Sequence, residues 1–234
     1  MNWTAVLAGV AGLAVGGTAV AVSGIGGAGP GGRAEVETIV RDYLLANPEI
    51  VTEAQSRLQD RETAKLIVAN RALFETPFGN AWAGAKDGDV VLVEFFDYGC
   101  GFCRRSNADV ERLLAEDKRL KVVWREWPVL GQDSLAAAEA SLAAAEQGKF
   151  APFFERLFAS GRPTASARSA AQAFTGVAPA GANPRYRAEI EKNYELARLI
   201  GATGTPTFVV GDKVLQGAVG YDALKAAIAE ARRS

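Results

Sequence analysis

The chain has 234 residues, 49% of them hydrophobic and 23% charged, enough for one domain of good size plus an appendage. Its formal net charge of −1 argues against a nucleic-acid partner, because such a surface needs a basic patch to displace counterions. It contains no histidine, which excludes Ser-His-Asp and Cys-His mechanisms and His-bearing zinc sites.

Met1 to Gly32 carries no charged side chain, and Trp3–Val22 is apolar apart from Thr4, Thr18 and glycines. That is about the ~20 residues that span a bilayer. Two readings stand: a secretory signal with a small-residue site such as Ala19-Val20-Ala21, or an uncleaved anchor running into a flexible linker, Gly24–Gly32. Both send the remainder across a bacterial inner membrane and predict a periplasmic protein. Residues 33–75 then read as a helical arm. Val36, Ile39, Val40, Tyr43 and Leu44 recur at helical spacing, and Asn47-Pro48 ends one helix and starts another. The arm can pack on its own domain or on copies of itself, which makes residues 33–72 a candidate homo-oligomer contact.

Residues 76–234 read as an α/β domain. Val90–Phe96 is a short apolar run rich in β-branched and aromatic residues, which predicts a buried strand. Arg104–Leu114 is helical, and Leu120–Trp127 is a second strand ended by Pro128. A helical insertion covers about 131–202. It comprises Ser134–Gln147 capped by Asp133 or Ser134, Pro152–Ala159, a weaker segment at Ser166–Phe174, and Pro184–Ile200 capped by Asn183. Thr207–Val210 and Lys213–Gln216 form a hairpin through Gly211-Asp212, and Tyr221–Arg232 closes the chain as an amphipathic helix.

Both cysteines lie in Cys100-Gly101-Phe102-Cys103, at a predicted strand-to-helix junction. Two thiols without histidine cannot make a four-ligand zinc site. Unpaired N–H groups and the dipole at a helix start stabilise a thiolate, lowering a pKa of ~8.5 to ~3.5–7.5. Cys100 is therefore expected to be an exposed nucleophile, with Cys103 one turn on, facing inward and able to attack the mixed disulfide. Glu94 is the one charge in Val90–Phe96; an acid buried there is costly unless it holds a proton or a partner, and it could shuttle the proton of Cys103. The alternative is an edge glutamate in solvent. Asp97, at the strand end, suits a turn or capping role. Pro206, opening a strand after Thr205, lacks an N–H; with a cis bond before it, Thr205 would present backbone groups beside the sulfurs.

The set Glu94-Phe95-Phe96-Asp97-Tyr98-Gly99-Cys100-Gly101-Phe102-Cys103-Arg104, Glu126-Trp127-Pro128-Val129-Leu130-Gly131 and Gly204-Thr205-Pro206-Thr207-Phe208 resembles the DsbA-like branch of the thioredoxin superfamily. Tyr43-Leu44-Leu45-Ala46-Asn47-Pro48-Glu49 further resembles the N-terminal region of ScsC-type members, some of which oligomerise and act as isomerases or reductases. The resemblance implies a thioredoxin fold with a helical insertion and no dissociable cofactor or metal. It makes Cys100 the attacking sulfur and Cys103 the buried one, the two closing into a disulfide. Glu94 becomes the proton-relay acid and Thr205-Pro206 a cis-proline substrate clamp. It also implies unfolded or misfolded exported proteins as substrates and a membrane partner that resets the cysteines. The redox dipeptide here is Gly101-Phe102 where the family's best-known oxidant has Pro-His, which points to a less oxidising couple.

Direction stays open at this level: a monomer kept oxidised donates disulfides, an oligomer kept reduced isomerises them. Two soft thiolates could instead hold Cu(I), although Met1 is the only other soft ligand. A redox-inert module on the same fold is the third alternative.

Overall fold

A computed structural model describes residues 30–179, 181 and 183–233. The expected signal or anchor lies outside these through residue 29. No helix among the described residues is long and apolar enough to cross a membrane. The chain divides into two compact units between Thr52 and Glu53, inside its second helix.

In the first unit, α1 spans Pro30–Ala46 and α2 begins at Glu49. Pro30-Gly31-Gly32, expected as the end of the linker, is instead the first turn of α1; a proline suits that position because its missing N–H has no intrahelical partner there. The Asn47-Pro48 break is a tight turn, with the N–H groups of Ile50 and Val51 donating to the carbonyls of Asn47 and Pro48.

In the second unit, α2 continues to Ala69, followed by α3 (Arg71–Glu75), β1 (Trp82–Gly84), β2 (Val90–Phe96), α4 (Gly101–Glu116) and β3 (Leu120–Glu126). Four helices follow: α5 (Gln132–Glu146), α6 (Phe150–Ala159), α7 (Ala165–Thr175) and α8 (Pro184–Leu199). Then come β4 (Thr207–Val210), β5 (Lys213–Gln216) and α9 (Tyr221–Ala231). The sheet order is β1-β3-β2-β4-β5. β2 and β3 run parallel, with α4 as their crossover, and the other pairs are antiparallel. β1 stands where the sequence pattern predicts no strand, because three residues are too few for alternation to register. The fold is that of thioredoxin with helices inserted between β3 and β4.

Strand alternation divides the core into two layers. Leu92, Phe96, Val122, Trp124 and Phe208 face α4, α5, α6 and α9, whereas Val93, Phe95, Val123 and Val209 face Ile67, Phe74 and α8. Each large apolar side chain buried this way stabilises the fold by about 1.5–3 kcal/mol. The second half of α2 therefore contributes Ile67 to the core of the sheet.

α5 is buried nearly all round. Ala137, Ala140 and Ala144 join the sheet-side core, and Ala138, Leu142 and Ala143 pack against Tyr186 and Ile190 of α8. Alanine suits such a helix, combining high propensity with close approach. Its start differs from expectation: Gly131, at φ 103°, is the cap residue and no side chain caps the helix. Ser134 and Asp133 are engaged elsewhere, Ser134 Oγ donating to Asp97 at 2.6 Å and Asp133 pairing with Arg168 at 2.9 Å. Thr164 and Asn183 do cap α7 and α8 through their side chains.

Candidate active site

The buried strand β2 delivers the chain to a turn, Asp97-Tyr98-Gly99, from which α4 starts. Cys100 is the cap residue of α4, in extended conformation at φ −83°, ψ 118°. Its N–H donates to Asp97 O at 3.0 Å, and its carbonyl accepts the first helical bond from Arg104 at 3.2 Å. Its sulfur thus stands at the end of the helix where N–H groups are unpaired. Hydrogen bonds from the Cys103 thiol, from the side chain of Thr205 and from the backbone N–H of Cys103 and Phe102 hold the Cys100 pKa down to about 5, against the opposing effect of burial. Cys100 is only 7% exposed, less open than expected for a nucleophile, because the Thr205 carbonyl lies 3.2 Å from its sulfur and accepts from the thiol form. Cys103 is fully buried, and burial, the hydrogen bond to Cys100 and the charge of Glu94 push its thiol strongly up. Both cysteines are free thiols in this structure.

Glu94 is fully buried on the same face of β2 as Leu92 and Phe96, so the solvent-edge alternative does not hold. It sits opposite Trp124 in the β2–β3 register, and the indole N–H donates to its Oε2 at 2.9 Å. Its Oε1 has no partner. Burial raises its pKa to about 8, offset in part by the Trp124 bond and reinforced by the negative charge on Cys100. Negative charge on Cys100 disfavours ionisation of Glu94, and negative charge on Glu94 or Cys100 disfavours ionisation of Cys103, so the three acids cannot all be ionised cheaply in one buried cluster.

Thr205-Pro206 is a cis peptide opening β4, and Thr205 meets Cys100 across 105 positions of sequence. Gly101 and Phe102 are exposed, Phe102 with the Arg105 guanidinium 4.3 Å over its ring. Asp97 is buried and ties the cysteine turn to the loop after β3. Its Oδ1 accepts from the Gly99 N–H and from Ser134 Oγ, each at 2.6 Å, and its Oδ2 accepts from the Leu130 N–H at 2.9 Å. A Cβ on Gly99 would lie 2.9 Å from Ser134 Oγ and 3.2 Å from Asp97 Oδ1, so any larger residue there must displace the Ser134–Asp97 pair.

Four side chains beneath the turn, Tyr98, Ser141, Glu126 and Trp124, escape a reading of the sequence for their roles. Tyr98 OH lies 2.8 Å from Ser141 Oγ, which donates at 2.8 Å to Oε1 of Glu126, a second fully buried acid whose pKa burial raises to about 7. The Tyr98 ring packs on Phe96, Phe153, Phe154 and Phe158. Trp124 is the fourth, since only strand pairing reveals that it faces Glu94. β3 also carries Lys121 and Arg125, so Glu126 does not stand out by polarity and no local pattern marks its burial. Among the described residues no group of three or more His, Cys, Asp or Glu is placed to hold a metal ion.

Residues 91–229 match the family described as DSBA-like thioredoxin domain, and residues 33–65 match that described as copper resistance protein ScsC N-terminal domain. A linker-deletion variant of ScsC from Proteus mirabilis is 27% identical, with a TM-score of 0.72 over 89% of this chain and 98% of that one. A periplasmic thioredoxin-like protein from Salmonella enterica serovar Typhimurium is 28% identical, with a TM-score of 0.66 over 70% of this chain and 96% of that one. The Na(+)/H(+) antiporter NhaA 3 of Salinispora tropica is 31% identical over 156 residues, 63% of this chain but 24% of the antiporter. The chain thus spans about a quarter of the length of the first curated relatives it matches.

Proposed function

The chain belongs to the DSBA-like thioredoxin domain family of thiol–disulfide oxidoreductases, and from that membership we propose that it exchanges disulfides in exported proteins through Cys100 and Cys103. The observation that carries this reading is a thiol held at a pKa of about 5 on a helix N-terminus, directly over a buried second thiol. The Cys100 thiolate attacks one sulfur of a substrate disulfide; that S–S bond breaks, and the departing sulfur takes a proton from water. Cys103 then gives up its proton and attacks Cys100, releasing the substrate's second thiol. The substrate gains two electrons and two protons, and the chain is left with a Cys100–Cys103 disulfide. The reverse sequence donates a disulfide. Glu94 is the proton acceptor for Cys103: with a pKa of about 8, about a tenth of it is ionised at pH 7. Once Cys100 is ionised, the Thr205 carbonyl no longer receives its proton and can accept an N–H from an extended substrate strand.

A periplasmic location rests on the charge-free run Met1–Gly32 and on the likeness to the Salmonella protein. A partner in the membrane would reset the cysteines. The test is to trap the mixed disulfide with Cys103→Ser and identify it by mass. Capture that persists in Cys100→Ser would overturn the assignment of the attacking sulfur.

A second reading, an oligomeric isomerase or reductase, is favoured by α1. Val36, Ile39, Val40 and Tyr43 are each more than half exposed along it, an apolar stripe without cover. Residues 33–75 are then the assembly arm and 76–234 the redox domain. Sedimentation decides it: a mass unchanged by Val40→Glu, and equal to one chain, removes this reading.

A further inference from the structure

Beside Cys100 lies an open groove of about 650 Å³. Gly99 and Gly101, the two neighbours of the nucleophile, line it, and so do Leu130, Asp133, Arg104 and Arg162. Asp133 is neutralised by Arg168 at 2.9 Å. Asp97 lies beneath, with both carboxylate oxygens taken by three donors. Arg104 and Arg162 are exposed, and neither has a carboxylate within 4.0 Å among the described residues. Arg104 reaches across the groove to donate to the Gly161 carbonyl, which brings its guanidinium next to the loop that carries Arg162. Arg105, on the neighbouring face of α4, spends its guanidinium on the Phe102 ring and is likewise unpaired by an acid. A chain with a net charge of −1 has therefore gathered unpaired arginines at the one place where a substrate must come. A planar guanidinium fits a carboxylate in two-point fashion, and exposed leucine beside it supplies apolar contact for the stem of the same side chain.

Building on the thiol-exchange reading above, we propose that this groove binds an acidic residue next to the reacting cysteine of a polypeptide substrate, with Arg104 and Arg162 holding its carboxylate. The site thereby selects cysteines set among aspartate and glutamate over those set among lysine and arginine.

The test uses the reduced full chain and three peptides that differ only in the residue after their cysteine, Glu, Gln or Lys, each carrying that cysteine as a mixed disulfide with 2-mercaptoethanol. Second-order exchange rates are read by mass or by tryptophan fluorescence. At about 20 mM salt the Glu peptide should react about fivefold faster than the Gln peptide, and the Lys peptide slower than both. At about 0.5 M salt the spread should collapse as screening shortens the reach of the charges. Arg162→Gln should narrow the preference and Arg162→Glu should reverse it. Equal rates for the Glu and Gln peptides on the unaltered chain at low salt overturn the inference while leaving thiol exchange intact. A Glu preference undiminished in Arg162→Glu overturns the assignment to this groove. If none of the three peptides reacts, the thiol-exchange reading itself fails, and this inference with it.

Discussion

Replacing Glu94 with glutamine is the sharpest probe of the buried acid, because it keeps shape and removes the titration. Folding carries this carboxyl from an ordinary pKa of 4.5 to about 8. Between those values the folded chain holds a proton that the unfolded chain has released, so stability falls as pH rises through the window. At about 1.4 kcal/mol per pKa unit, the loss from this one group between pH 5 and pH 8 is about 3 kcal/mol. Glutamine can still accept from the Trp124 indole. Its NH2 group would lie where Oε1 has no partner, a cost of about 1–3 kcal/mol that does not depend on pH. The slope therefore separates the two effects. Urea unfolding of both reduced proteins at pH 5, 6, 7 and 8 should show the variant gaining on the parent by about 3 kcal/mol across the range. Glu126 and Cys100 titrate in both proteins and largely cancel in the difference. The same substitution should remove an inflection near pH 8 from the rate at which Cys103 closes on Cys100. A difference in stability that stays constant within about 0.5 kcal/mol from pH 5 to 8 would refute the reasoning.

Alkylation of Cys100 by iodoacetamide should reach half its maximal rate near pH 5, while Cys103 stays unmodified through neutral pH; mass mapping after a pH series checks both. Trp124→Phe removes the one hydrogen bond that favours ionised Glu94, so the pH 8 inflection should move upward. Asp97→Ala breaks three bonds, one to Gly99 within the cysteine turn and two that join the turn to Leu130 and Ser134, and should cost about 2–4 kcal/mol in denaturant and slow exchange with every substrate. Arg125→Met strips Glu189 and Asn193 of their buried partner and frees the carbonyls of Phe74 and Thr76. It should cost about 3–5 kcal/mol, and adding Glu189→Gln should restore part of that, as a double-mutant cycle would read.

Much of the site was legible because its parts are contiguous. Cys100, Cys103 and the helix they start lie within a few residues, so a strand pattern followed by CxxC places a sulfur on a helix N-terminus without further information. Glu94 was visible as a lone charge in an apolar run. The hairpin of β4 and β5 was read with its bounds, since a four-residue apolar run, Gly211-Asp212 and a second run encode it locally. The cap of α5 was misplaced for a complementary reason: Asp133 and Ser134 are good capping residues, but partners far along the chain, Arg168 and Asp97, compete for them.

The sequence by itself determined the α/β class, the place of the two cysteines at a strand-to-helix junction and the lack of any histidine, all consequences of local pattern and composition. Only the tertiary structure decided the energetics. It set Thr205 against the Cys100 sulfur from 105 positions away, paired Glu94 with Trp124 across β2 and β3, and drew Arg104 and Arg162 to one groove. A pKa depends on what surrounds a group once water is excluded, and that surrounding is assembled from segments whose pairing no local pattern encodes.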